Sequence, residues 1–117
     1  MSEQSEAKRD GAKLVSNSGR GQNTKKGDAV LQDFVIDYKE YAKSYSVSID
    51  NIAKLDTDAY KNGNRQGIFK LVLGGSVRRW VVPEYVFHDY LEYRSVIEWF
   101  RTNDPNQLAK AQEAIDE

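Results

Sequence analysis

Two short apolar runs, Ala29-Val30-Leu31 and Phe34-Val35-Ile36, stand back to back with only Gln32-Asp33 between them. Apolar and β-branched residues this close to a two-residue break point to an antiparallel hairpin. The break has no Asn-Gly or Asp-Gly pair, so the turn type stays open, but its length sets the register. Leu31 then faces Phe34, Val30 faces Val35, Ala29 faces Ile36, and Asp28 faces Asp37. Directly opposed residues bring their Cβ atoms to about 4.5–5.5 Å on one side of a sheet. Lys39 follows Asp37 by two positions and projects with it, while Tyr38 points the other way.

The flanking segments predict an α/β fold. Glu6 to Val15 reads as a short helix weakened by Gly11, and residues 16 to 27 (SNSGRGQNTKKG) as a basic loop rich in Gly, Ser and Asn. Ser48 is a candidate N-cap for a helix from about Ile49 to Lys61, with Ile49, Ile52, Ala53, Leu55, Ala59 and Tyr60 as its apolar positions. Gly67 to Leu73 reads as a strand, Gly74-Gly75 as a turn, and Val77 to Val82 as an antiparallel partner closed by Pro83. From about His88 to Arg101 an amphipathic helix is expected, then a break at Asn103-Asp104-Pro105 and a last short helix to about Ile115. The order predicts a central mixed β-sheet flanked by helices, with a βαβ crossover from the strand at Asp37 to the strand at Ile68.

At 117 residues the chain is expected to be a single domain, residues 1 to 27 being polar and residues 84 to 117 a helical C-terminal region. No apolar run is long enough for a spanning helix, and Met1 to Asp10 lacks the apolar core of a signal peptide. The expected compartment is the cytoplasm, or a host's cytoplasm for a phage-borne chain. There is no cysteine, so no disulfide framework, thiolate metal site or cysteine nucleophile. A net charge of −1 argues against coating nucleic acid through bulk electrostatics. The charge is uneven, however: residues 8 to 26 hold Lys8, Arg9, Lys13, Arg20, Lys25 and Lys26 against Asp10 alone.

Two carboxylates as close as Asp28 and Asp37 repel unless a cation lies between them. A divalent ion with hard oxygen ligands fills that role, and Mg²⁺ takes one or two carboxylates plus waters and phosphate oxygens. Such an ion lowers the pKa of bound water and polarises a phosphate. Lys39 beside it can orient the attacking water or stabilise charge on the phosphorane. The bland alternative is a solvated strand face, on which Asp and Lys are commonplace.

Asp28, eight intervening residues and Asp37-Tyr38-Lys39 match the D-x(n)-(D/E)-x-K signature. With Ser18-Gly19 and Lys26-Gly27-Asp28 ahead of it, and Lys43-Ser44, the Ile52 helix and the Ile68 and Trp80 strands behind, the chain resembles PD-(D/E)XK nucleases. It is most similar in pattern to their Holliday-junction-resolvase branch, including short phage-type members, over roughly residues 6 to 83. The resemblance implies a restriction-endonuclease-like core, with Asp28 and Asp37 as ligands of Mg²⁺ (or Mn²⁺), Lys39 as catalytic lysine, and Glu6, or else Glu3, as the helix acid. Ser18 would lie in the DNA-facing loop. The second acid is Asp where the branch usually has Glu, and Gly27 stands where Pro is common.

The implied activity is hydrolysis of DNA phosphodiesters, with Holliday junctions or other branched DNA as substrate and a homodimer as the working unit. A duplex-nicking or restriction-like endonuclease and a non-catalytic interaction protein are the alternatives. Arg20, Lys25, Lys26 and Lys43 are candidate DNA-binding residues, on loops that equally suit plain solvation. Arg78, Arg79 and Trp80 read as two solvated arginines followed by a packed Trp, with a DNA-contacting edge as the alternative. His88, the only histidine, reads as a surface residue. Tyr85, Phe87, Tyr90, Tyr93, Trp99 and Phe100 are dense enough to suit a dimer face as well as a core.

Overall fold

Consecutive apolar residues carry the centre of the sheet: Val35-Ile36 and Ile68-Phe69 are all buried, as in strands covered on both faces. A computed structural model describes residues 3–15 and 28–116. The chain divides into two compact units, Met1–Val82 and Pro83–Glu117. The first holds α1 (Glu3–Asp10), β1 (Lys13–Leu14), β2 (Asp28–Leu31), β3 (Phe34–Tyr41), α2 (Ile49–Lys61), β4 (Gln66–Leu73) and β5 (Val77–Val81). The strands form one mixed sheet in the order β1-β2-β3-β4-β5, antiparallel throughout except for the parallel pair β3 and β4. α2 connects that parallel pair, as the spacing of the two strands predicts.

The hairpin register is the expected one: Leu31 pairs with Phe34, Val30 with Val35, Ala29 with Ile36, and Asp28 with Asp37. Its turn places Gln32 at φ 55°, a left-handed conformation unusual for a residue with a Cβ. Two contacts hold it there: Arg65 Nε donates to the Gln32 carbonyl at 3.0 Å, and the Gln66 amide to the Asp33 carbonyl at 2.8 Å. The first helix ends sooner than Val15. Gly11 at φ 75° reverses the chain, and Lys13 and Leu14 pair with Val30 and Ala29 instead of continuing the helix.

Both faces of β3 and β4 are covered. One face packs Ala7 of α1 against Ala29, Ile36, Tyr38 and Ile68. The other packs Leu55 and Ala59 of α2 against Val35 and Phe69. Ser48 caps α2 by accepting the Asn51 amide at 3.1 Å. Only part of the expected apolar stripe turns inward, since Ile49, Ile52 and Tyr60 are exposed while Leu55 and Ala59 are buried.

α2 packs tightly against the sheet at Gly67. A Cβ there would lie 2.5 Å from Leu55 Cγ and 3.1 Å from the Leu55 carbonyl oxygen. Gly67→Ala is therefore expected to push α2 outward and lower unfolding free energy by about 1–3 kcal/mol. A urea titration checks this; an unchanged midpoint would show that the helix yields freely.

The second unit consists of α3 (Glu84–Asn103) and α4 (Pro105–Asp116). α3 starts one residue after Pro83, earlier than the aromatic pattern suggests, and none of its described residues is fully buried. Tyr85, Phe87, Tyr90, Tyr93 and Trp99 are more than half exposed, with Phe87 and Tyr90 stacked at 6.1 Å. No helix among the described residues is long and apolar enough to cross a membrane.

Candidate functional site

Asp37 and Lys39 lie in phase with Val35 on β3, and so on the face that α2 covers. Their side chains form an ion pair, Lys39 Nζ to Asp37 Oδ2 at 3.4 Å, with 30% and 23% of each side chain exposed. Burial pulls the Lys39 ammonium down, but Asp37, with Tyr45 and Tyr41 nearby, more than offsets this and holds it above its ordinary value. Lys39 is thus a fixed cation at neutral pH and not a general base. Its Nζ also lies 5.7 Å from the centre of the Tyr45 ring. The backbone register brings Asp28 opposite Asp37.

The Asp37 carboxylate beside Lys39 suits a small hard cation, which needs only one or two protein oxygens. Among the described residues no group of three or more His, Asp or Glu side chains gathers into a fuller cage.

Glu6 goes elsewhere. It is 3% exposed and lies on the opposite, α1-covered face, in phase with Tyr38. Arg78 Nε and Nη2 donate to its two oxygens at 3.1 and 2.8 Å, and Lys70 Nζ pairs with Oε1 at 2.8 Å. Lys70, 2% exposed, also donates to both Asp10 oxygens at 2.8 and 3.0 Å. Tyr38 Oη donates to Asp10 Oδ2 at 3.0 Å, and Lys70 Nζ sits 5.2 Å from the Trp80 ring centre. The structure does not bring Glu6 to Asp37 and Lys39, because adjacent positions on a strand point to opposite faces. Arg78, read from sequence as solvated, is a partner in this cluster, and Trp80 is 43% exposed. Glu3, the second choice for the helix acid, also lies on α1.

The Arg78 hydrogen bonds, against the opposing effect of burial and with the help of Lys70, hold the Glu6 carboxyl at about 2, below its usual 4.5. Burial first, then the Asp10 carboxylate, raises the Tyr38 hydroxyl well above its ordinary value. A depressed carboxyl contributes stability that is complete above its unfolded pKa and fades as pH falls. Glu6 therefore stabilises the fold above about pH 4.5 and loses that contribution as pH falls toward 2. With Arg78 partly open to screening, the loss is expected to be about 1–3 kcal/mol. Urea unfolding at pH 6, 4 and 2.5 measures it, and Glu6→Gln should flatten the fall; an equally steep fall in that variant would assign the loss to other carboxylates.

Of the remaining sequence candidates, Lys43 is exposed in the segment between β3 and α2. Ser18, Arg20, Lys25 and Lys26 lie outside the described residues. His88 is an exposed residue of α3, 3.7 Å from Glu84. The signal for the buried cluster was Lys70 itself: a lone lysine inside Gly67-Ile68-Phe69-Lys70-Leu71-Val72-Leu73, a strand too apolar to face water on either side. A lysine there must find anions, since a buried charge persists only when paired.

No protein-family model matches the chain, and comparisons with curated proteins and with solved structures found no match.

Proposed function

We propose that this chain is a metal-dependent endonuclease of the PD-(D/E)XK type that hydrolyses DNA phosphodiesters, with Holliday junctions or other branched DNA as substrate. The observation that carries the reading is the register that pairs Asp28 with Asp37, with Lys39 ion-paired to Asp37 on the same strand. The order of elements supports it: a helix, an antiparallel three-strand meander, a helix, then a strand parallel to the third. This is the arrangement expected of a restriction-endonuclease-like core.

Asp28 and Asp37 would hold Mg²⁺ or Mn²⁺, which when bound supplies an activated water and a Lewis acid for the phosphate. Lys39 contributes a cation that stays protonated at neutral pH, placed to stabilise negative charge developing on phosphate oxygens. Asp37 holds that ammonium in place. A second copy of the chain would provide the second site needed for paired cuts across a four-way junction, and the exposed aromatics of α3 suit such a contact.

A non-catalytic interaction protein is the second reading. What favours it is Glu6, the carboxylate that the resemblance assigns to the site, bound instead by Arg78 and Lys70 on the other face.

The test is cleavage of a labelled four-way junction and of the matching linear duplex, with Mg²⁺, with Mn²⁺ and with chelator. Metal-dependent, symmetric cutting of the junction is expected. Cutting of the duplex alone would replace the branched substrate with a duplex one, and no cutting of either DNA would leave the interaction reading.

A further inference from the structure

Beyond the ion pair, β3 ends in a feature that Asp37 and Lys39 do not explain. Asp37, Lys39 and Tyr41 occupy alternate positions, so they line one face, each about 6.6 Å beyond the last. Tyr41 is 43% exposed, and its ring stacks on that of Tyr45, centroids 5.1 Å apart and planes within 24°. Tyr45 in turn is fixed from several directions. Asn51 of α2 donates to its hydroxyl at 3.1 Å, Phe69 packs at 6.0 Å, and the Lys39 ammonium lies over its ring.

Tyr45 packs its ring against Phe69 of the core. Tyr41 extends the stack outward, an aromatic ring kept in a defined orientation and left open to solvent beside the candidate cation. From this geometry we infer that Tyr41 is a stacking platform for an unpaired nucleobase of the DNA whose phosphate lies at Lys39. The inference rests on the nuclease reading and deepens it, since it names what the site selects. In a continuous duplex each base already has neighbours on both of its faces. Only a base released from the stack, as at a branch point or a bulge, can offer a face to a protein ring. Stacking of one base on an aromatic side chain strengthens binding roughly five- to a hundredfold. The ring provides this for any base, so it selects structure and not sequence.

The experiment is fluorescence anisotropy of the full chain, in chelator, with a duplex carrying a three-nucleotide bulge and with the same duplex fully paired. The wild-type protein should prefer the bulged DNA at least about fivefold. Tyr41→Leu should lose that preference with its affinity for paired duplex unchanged, and Tyr41→Phe, which keeps the ring, should retain it. The inference is overturned if the wild type shows no preference, if Tyr41→Leu keeps it, or if Tyr41→Leu weakens both DNAs alike. Adding Mg²⁺ to the same samples reads cleavage separately. Absence of cutting would remove the nuclease reading, whereas the metal-free preference judges the stacking platform by itself.

Discussion

Under the proposed nuclease reading, Asp37→Asn is expected to reduce DNA cleavage by at least about 100-fold while leaving the fold nearly as stable as before. The substitution keeps the shape of the side chain and removes its charge. With that charge go the hard anionic oxygen that a divalent ion would prefer and the partner that holds the Lys39 ammonium 3.4 Å away. Neither supports the core strongly. Both side chains are partly exposed, and pairs of that kind contribute about 0–1 kcal/mol to folding. Activity and stability should therefore separate. Junction cleavage under single-turnover conditions, with urea unfolding of the same preparations, measures both. Undiminished cleavage would remove Asp37 from the chemistry, and lost cleavage with an equally lost fold would make it a structural residue.

Lys70→Ala is expected to do the reverse, costing the fold about 3–5 kcal/mol. Lys70 is buried at 2% exposure and, among the described residues, is the cation that pairs with both Glu6 and Asp10. Without it Glu6 keeps Arg78, but Asp10, whose side chain is 12% exposed, keeps among the described residues the Tyr38 hydroxyl and the more distant Arg78 charge. A buried carboxylate that loses its hydrogen-bonded cation costs far more than the pair contributed, because its desolvation is then poorly offset. The alkyl stem of Lys70 is lost as well, which adds a cavity term. Lys70→Met keeps the stem and isolates the charge, and a double-mutant cycle with Asp10→Asn gives the coupling directly. A loss below about 1 kcal/mol in Lys70→Met would show that water reaches the cluster and solvates Asp10.

These two sites differ in how far they could be read from the residues alone. The pairing of Asp28 with Asp37 was legible, because a two-residue break between apolar runs leaves one register, and that register determines which residues oppose each other. α2 was equally legible from Ser48, whose side chain takes a helix N–H that nothing else in the helix can satisfy. β1 was not. Lys13-Leu14 has no strand signature, and it pairs because Gly11 turns the chain back toward β2. Ile49 and Tyr60 fit the helical period of α2, yet they stay exposed since the sheet is reached only by the face that carries Leu55 and Ala59.

What the sequence by itself determined is therefore local: the hairpin and its register, the pairing of Asp28 with Asp37, the position of Lys39 beside them, and the alternation of strands and helices. These depend on spacings of a few residues, where backbone geometry permits few alternatives. Only the tertiary structure decided which face each helix covers. That choice sent Glu6 to Arg78, 72 residues away, and Asp10 to Lys70, 60 residues away, and kept both carboxylates from Asp37. The physical reason is the two-sided sheet. Neighbouring positions on a strand point in opposite directions, so a helix acid meets either the Asp37 side or the Tyr38 side, and burial of Lys70 on the Tyr38 side, where an ammonium must have anions, drew both acids there.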